Sequence, residues 1–509
     1  MTVLNGQTRA RALEALGDHA EVDVLVVGGG VTGAGAALDA ASRGLRTVLV
    51  EARDLAFGTS RFSSKLVHGG LRYLASGQIG VAHESAVERG ILMTRTAGHL
   101  IRPLPQLVPL VPSIRRAQRL VIRAGFLAGD ALRVGARTPA SRLPSARRVG
   151  PAEALALAPR IRADGLDGAY VAHDGQLVDD ARLVVTIART AVEYGAKVLT
   201  RVRAEDVTGS SARLTDTLTG ETLTLRAKAV LNATGVWAGE VDSSIRLRPS
   251  RGTHLVFDAA AFGHPRAALT VPIPGAANRF VFALPQQLGR VVVGLTDVDA
   301  PGPVPDVPVP DEDEITFLLD TVNAYLRTPV TRDDVRGSYS GLRPLIDSGG
   351  GSTADLSRRH AVREAPSGLI TVVGGKLTTY RKMAQDAVDT AVRLRGLTAL
   401  PCRTAALPLV GAPGRADNRP AAGLPASLVA RYGGAARAVV DAATVARPLE
   451  PVADGLDLTR AEAEFAVSHE GALDVVDVLD RRTRLGLVPA DAARAEPVVA
   501  EIVAAHLAR

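Results

Sequence analysis

The run GGGVTG at residues 28–33 sets glycines at 28, 30 and 33, the G-x-G-x-x-G spacing. In that spacing the first glycine makes a tight turn, the second lets a pyrophosphate approach the backbone, and the third lets a helix pack closely on the preceding strand. The glycines alone are a weak signal, but their setting is specific. They follow an apolar run at 22–27 and open a small-residue stretch at 33–42. About 20 residues beyond the central glycine, Glu51 closes a second apolar run at 46–50. A carboxylate there accepts hydrogen bonds from an adenosine ribose and repels a 2′-phosphate, which favours FAD or NAD over NADP. The unit reads as strand, turn, helix and strand, with the free amides of the helix N-terminus turned to a dinucleotide pyrophosphate.

Two distant segments favour a flavin. VLNATGVWAG at 230–239 and VVGGKLTTYRK at 372–382 each put small residues at the end of an apolar strand. In the second, a helix that begins after Gly374-Gly375 would aim its amides at the electron-rich side of a reduced flavin ring. Gly235, Gly374, Gly375 and Lys376 therefore join Gly28, Gly29, Gly30, Gly33 and Glu51 as candidate cofactor contacts. Only one complete dinucleotide fingerprint is present, so an organic substrate that reduces the flavin directly is expected. Cys402 is the sole cysteine. One thiol cannot build an internal disulfide, a multi-cysteine zinc site or a cysteine-ligated iron-sulfur cluster; no metal site is expected, and a reducing compartment fits.

These residues need a scaffold that brings distant segments together. Strand-like runs at 229–231, 279–284, 290–295 and 369–373 and helical patterns at 179–194, 312–326 and 379–394 indicate an α/β chain, a Rossmann-like FAD-binding domain with an interleaved, sheet-rich substrate-binding domain. APGPVPDVPVP at 300–310 reads as a proline-rich loop, and the acidic cluster after it as a helix N-terminus. From about residue 401 the strand signals fade, and Ala-rich helical stretches at 424–432, 460–470 and 497–507 dominate, the last with Pro497 at its start. The expected division is a flexible tail at 1–20, an FAD-dependent oxidoreductase region at 21–398 and an all-α C-terminal domain at 399–509.

A chain of 509 residues with 46% hydrophobic content can fill two or three cores. Its first twenty residues lack the run of about 7 to 15 apolar residues of a secretory signal, and Glu14 and Asp18 argue against a transit peptide, so a cytoplasmic protein is expected. No run of about 18 apolar residues is present to span a bilayer. The net charge of +7 is carried mainly by arginine, which suits phosphates, anionic lipid or nucleic acid, although compositional drift toward Ala, Arg, Gly and Val would also produce it. The charge is densest at 115–148, where nine arginines face the single Asp130 among Leu, Val, Ile and Phe. Such a segment can insert apolar side chains into an anionic lipid surface, or it can be an Arg-rich hairpin packed on one face. Nucleic-acid binding is disfavoured, because aromatics make up 3% of the chain and no basic, aromatic-bearing RNA motif is present.

TSRFSSKLVHGGLRYL at 59–74 closely resembles the FAD-dependent glycerol-3-phosphate dehydrogenases. So do GGGVTGAGAALDAASRGL at 28–45, LVDDARL at 177–183, RGTHLVF at 251–257, GLTDV at 294–298, YSGLRPL at 339–345 and GGKLTTYRK at 374–382. RRTRLG at 481–486 resembles the signature of that family's helical C-terminal domain, so the likeness covers nearly the whole chain. Departures are Arg61 and Phe62, where some relatives carry small residues, and Val236, where proline is frequent.

The resemblance implies oxidation of sn-glycerol 3-phosphate to dihydroxyacetone phosphate, with hydride passing from C2 to FAD. It implies that Arg72, Tyr73, Arg343 and Lys376 bind and orient the phosphate ester, and that Thr59, Ser60, Ser63, Ser64 and Lys65 touch the flavin or its phosphates. A dianion calls for two or three cations, and the alcohol for a base beside C2. His254 is the first candidate for that base and His68 the second. Competing readings are a packed, hydrogen-bonded histidine, structural ion pairs for Arg72 and Arg343, and a helix cap for Lys376. The family divides between enzymes that reduce membrane quinone and oxidases that reduce O2 to H2O2. Residues 115–148 favour quinone, with the protein peripheral on the inner face of the cell membrane, and the family implies a homodimer. A non-enzymatic reading, in which FAD is structural and the basic face binds membrane or nucleic acid, leaves Arg72, His254, Arg343 and Lys376 without a purpose.

Overall fold

The first apolar run forms the strand Glu21–Val27, and the small residues after its glycine turn form the buried helix Val31–Ser42. Ala34, Ala37 and Ala41 leave this helix slender enough to lie close against the helices Asp180–Glu193 and Tyr380–Arg395. The structure, a computed structural model, describes residues 2–17, 20–70, 78–273, 279–347 and 359–507. In it one sheet runs in the order His360–Glu364, Ile370–Gly374, Thr222–Asn232, Glu21–Val27, Thr47–Glu51, Lys197–Thr200. All but the first of these strands are parallel to their neighbours. Strands covered on both faces need continuous apolar runs, which Val24, Leu25 and Val26 and Val48, Leu49 and Val50 supply.

The second sheet runs Val298–Asp299, Leu247–Asp258, Arg290–Gly294, Phe280–Pro285, Ala268–Pro272, Ile101–Pro109, Ala169–Leu177, Leu66–Val67, and Val335–Ile346 also pairs with Leu247–Asp258. That antiparallel register sets His254 opposite Tyr339 and Ser250 opposite Arg343. Beyond residue 402 the regular elements are helical, including Ala426–Tyr432, Arg460–His469 and Pro489–Leu507. The architecture is thus the expected α/β arrangement with an all-α C-terminal region.

Two local expectations are corrected. The described part of the expected flexible tail at 1–20 is ordered: Gly6–Glu14 is a helix begun by an Asn5–Thr8 capping box. It is held down by the buried Arg9, which donates to the Asp216 carboxylate at 2.6 Å and to the Thr200 carbonyl at 2.6 Å, while Leu4 and Leu16 are buried at either side. The final helix starts at Pro489 and carries Pro497 inside it. An interior proline costs about 3 kcal/mol, offset here by the buried face of Ala495, Val499, Ile502 and Val503.

The C-terminal helices are joined to the nucleotide-binding sheet by buried charge. Asp54, three residues beyond Glu51, accepts from Arg481 Nε at 2.7 Å and from Arg482 Nη1 and Nη2 at 2.8 and 2.9 Å. Burial alone would raise the Asp54 carboxyl, but Arg482 and Arg481 hold it below the ordinary range. Arg481 also reaches Asp477, Arg482 donates to the Glu470 carbonyl, and Arg182 pairs with the Glu470 carboxylate. Removing one partner of a buried pair strands the others, at a cost of about 3–5 kcal/mol. Asp54→Ala should therefore lower the denaturant midpoint well below that of the parent protein. An unchanged midpoint would show that these pairs are dispensable.

Candidate active site

Both sheets contribute to one cleft of about 1870 Å³. On the nucleotide side its wall includes Gly28, Gly30, Val31, Glu51, Thr59 and Ser60. Gly28 sits at φ 110°, and a Cβ on Gly33 would fall 1.8 Å from the Gly28 carbonyl oxygen, so this turn and this close helix approach admit only glycine. Glu51 accepts from the Gly29 amide at 2.6 Å and from the Arg53 amide at 2.8 Å. Burial pushes the Glu51 carboxyl up, and the two amides oppose that rise. Gly30 caps the helix without a side-chain hydrogen bond, and the Val31 amide donates to Ser60 Oγ at 3.0 Å. A tight turn, a helix start lacking a side-chain cap of its own and a ribose-side carboxylate suit the ADP half of a dinucleotide.

His254, Arg343 and Lys376 line the same cleft. His254 Nε2 lies 2.8 Å from Ser64 Oγ, and its ring stacks on Tyr339 with centroids 4.7 Å apart and planes 10° apart. Burial, together with the nearby Lys65 and Arg343 cations, holds the imidazole well below its usual pKa; a hydrogen bond to the Gly252 backbone opposes this. The ring is therefore neutral at neutral pH and able to accept a proton. Arg343 donates to the Thr296 carbonyl at 3.0 Å and to Ser250 Oγ at 3.2 Å, and pairs with Asp297 at 3.3 Å. Lys376 Nζ donates to the buried Ser85 hydroxyl. The His68 amide donates to Thr378 Oγ1 at 3.3 Å, and the Gly69 amide to Asp174, which Arg89 pairs at 2.7 Å.

The fold thus gathers Gly28, Gly30, Glu51, Thr59, Ser60, Ser63, Ser64, His68, Gly235, His254, Arg343, Gly374, Gly375 and Lys376 around one space. Gly29 and Gly33 shape the turn from behind it. Arg72 and Tyr73 lie outside the described residues. The Lys65 side chain is buried, and its ammonium pairs with Asp180. Desolvation of that cation is relieved by a carboxylate at 3.0 Å, a partner available only from a helix more than a hundred residues away. Asp180, Tyr339 and Asp174 went unassigned in the sequence. The first two sit in the LVDDARL and YSGLRPL motifs, whereas no motif marks Asp174.

The Arg-rich segment forms the helix Arg116–Gly135. Ile122 and Phe126 line the cleft, Val121 stands at its edge and is exposed, and Leu120, Leu127 and Val134 are exposed as well. Arg119 and Arg148 pair with Asp167, Arg147 with Glu153, and Arg133 with Asp130. Arg115, Arg116 and Arg123 have no acidic partner among the described residues. No described helix is long and apolar enough to cross a membrane.

Residues 23–381 match the family described as FAD dependent oxidoreductase, and residues 402–509 the C-terminal domain of alpha-glycerophosphate oxidase. The chain is 62% identical over 506 residues to glycerol-3-phosphate dehydrogenase 1 of Mycobacterium tuberculosis, covering 98% of each protein. It is 36% identical to the mitochondrial glycerol-3-phosphate dehydrogenase of Rattus norvegicus, covering 98% of this chain and 72% of that one. The FAD-complexed glycerol-3-phosphate dehydrogenase of Bacillus halodurans superposes with a TM-score of 0.74 at 27% identity, over 98% of this chain and 94% of that one.

The glycine turn has a direct test. Overpacking of about 1–3 kcal/mol corresponds to a loss of about 5- to 150-fold in dinucleotide affinity. Gly33→Ala should purify with a much lower ratio of flavin to protein absorbance than the parent. Full flavin occupancy would refute the tight-turn reading.

Proposed function

The chain belongs to the FAD-dependent glycerol-3-phosphate dehydrogenase family, and from that premise we propose that it oxidises sn-glycerol 3-phosphate to dihydroxyacetone phosphate and delivers the electrons to a membrane quinone. The observation that carries this reading is the convergence of a neutral, buried His254 with Arg343 and Lys376 on the cleft that holds the dinucleotide turn. Bound FAD supplies the acceptor for the hydride that leaves C2.

The protein's own groups do the rest. The glycine turn, Ser60 and Glu51 hold the ADP half, and Gly235, Gly374 and Gly375 let the backbone approach the ring. Lys376 and Arg343 receive the phosphate dianion. Asp297 offsets part of the Arg343 charge, so Arg72 and Tyr73 are assigned to complete the anion site. His254 takes the C2 hydroxyl proton. As the C2–H bond gives up its electron pair, the O–H pair becomes the carbonyl bond, and the ketone leaves. Ser64, 2.8 Å from Nε2, fixes the ring's orientation. His68 remains the second choice, on the loop that Asp174 and Arg89 brace.

Quinone is favoured by the helix Arg116–Gly135. A lipid-soluble acceptor needs an apolar approach, and this helix puts Ile122 and Phe126 on the cleft while exposing Leu120 and Leu127 near Arg116 and Arg123, which have no acidic partner among the described residues. The protein would then sit peripherally on the inner face of the membrane. An oxidase that makes H2O2 is the second reading, favoured by the match of residues 402–509 to the C-terminal domain of alpha-glycerophosphate oxidase.

Anaerobic glycerol 3-phosphate should bleach the flavin absorbance, and admitting air should return it slowly with little peroxide, whereas added quinone restores it at once. Rapid, stoichiometric peroxide would reject the quinone reading. His254→Asn should slow the bleaching by about 10²- to 10⁴-fold at neutral pH. Because protonation of His254 is disfavoured, the parent rate should stay level through neutral pH and fall only below about pH 6.5, the ordinary histidine value. A fall centred at or above that value would contradict a buried, neutral base.

A further inference from the structure

Lys65 is a cation that the mechanism does not use. Its ammonium donates to Asp180 at 3.0 Å and to the Arg61 carbonyl at 3.0 Å, and it stands 4.9 Å from the centroid of the Tyr339 ring. The same ring stacks on His254, and its hydroxyl donates to the Ser63 carbonyl at 3.0 Å. Asp180 closes the frame by accepting from the Ser63 amide at 3.0 Å and the Ser63 hydroxyl at 2.6 Å. Lys65 is almost completely buried and takes up the left-handed backbone region at φ 57°. Burying an ammonium and straining a non-glycine residue are both unfavourable, and an apolar side chain would fill the space at less cost.

We propose that Lys65 is a positioning residue for the base, a fixed cation that together with Asp180 braces the Tyr339–His254 stack and bears on the imidazole beside it. This rests on His254 being the base. The charges around His254 are Lys65 from its own loop and Arg343 from the neighbouring strand, both of which disfavour its protonation. Asp180 and Arg484 face Tyr339 with opposite signs, and burial keeps the phenol protonated. The consequence is twofold: the imidazole waits for substrate in its neutral form, and after accepting the hydroxyl proton it is driven to release it.

Lys65→Met alone would strand a buried carboxylate, so the informative variants of the FAD-loaded protein are Lys65→Met/Asp180→Asn and Lys65→Arg. Two readouts apply: the pH dependence of anaerobic flavin bleaching by glycerol 3-phosphate, and the titration of the His254 ring followed by NMR without substrate. The double variant removes the carboxylate together with the cation, but of the two only Lys65 is among the charges that act on the imidazole, so their joint removal makes it easier to protonate. Both midpoints should therefore move up by about one pH unit in the double variant and stay in place in Lys65→Arg. A double variant that is slower at every pH with neither midpoint moved overturns the inference, since lost support alone would produce that result. An equal shift in Lys65→Arg overturns it too. His254→Asn tests the underlying reading separately: an acid limb that survives this substitution removes His254 as the base, and the inference falls with it.

Discussion

The chain that leaves the nucleotide-binding sheet is held by one buried carboxylate, Asp54, shared by Arg481 and Arg482. It lies just after Glu51, where the chain leaves the nucleotide sheet and begins the loop that carries Thr59 to Ser64. The pairing anchors the start of that loop to the C-terminal helices, and Arg61 repeats the connection through Asp480 at 2.6 Å. The far end of the loop is held by Lys65 and Asp180. Buried charges are expensive unless paired with good geometry, so this arrangement has few alternatives, and it fixes the position of the serines relative to the glycine turn. Among the described residues, the C-terminal helices contribute no side chain to the cleft wall.

The second requirement is that a proton acceptor should meet the cleft uncharged and correctly aimed. The antiparallel pairing of Leu247–Asp258 with Val335–Ile346 meets it by register, because a slip of one residue would turn His254 to the other face of the sheet. Stacking on Tyr339 and the hydrogen bond to Ser64 then leave the ring little freedom. The same register places Arg343 opposite Ser250, so His254 and Arg343 come from paired strands and are positioned together.

The Arg-rich helix has two faces, and neither of the simple sequence readings describes it completely. Part of its apolar surface belongs to the cleft wall and part is exposed, while its Arg119 pairs with Asp167 and its Arg133 with Asp130. Its own sequence could not show this, because Asp167 lies outside the helix and meets Arg119 only in the folded chain.

The sequence by itself determined the features that depend on local periodicity and spacing. These are the strand–turn–helix around Gly28 to Gly33, the acid at Glu51, the helical C-terminal region and, through its motifs, candidate residues on the cleft such as His254, Arg343 and Lys376. Backbone geometry within about thirty residues fixes such features, so they are legible without a fold. Tertiary structure decided what the charged side chains do. Lys65 reads in its motif as a contact to the flavin or its phosphates, and its ion pair is visible only when Asp180 arrives beside it. Arg9 turns an apparent tail into a docked helix by finding Asp216, and Pro497 is tolerated inside a helix because that helix buries its face. In each case the energy that settles the matter is desolvation or burial against a distant segment, a quantity absent from the sequence until the chain has folded.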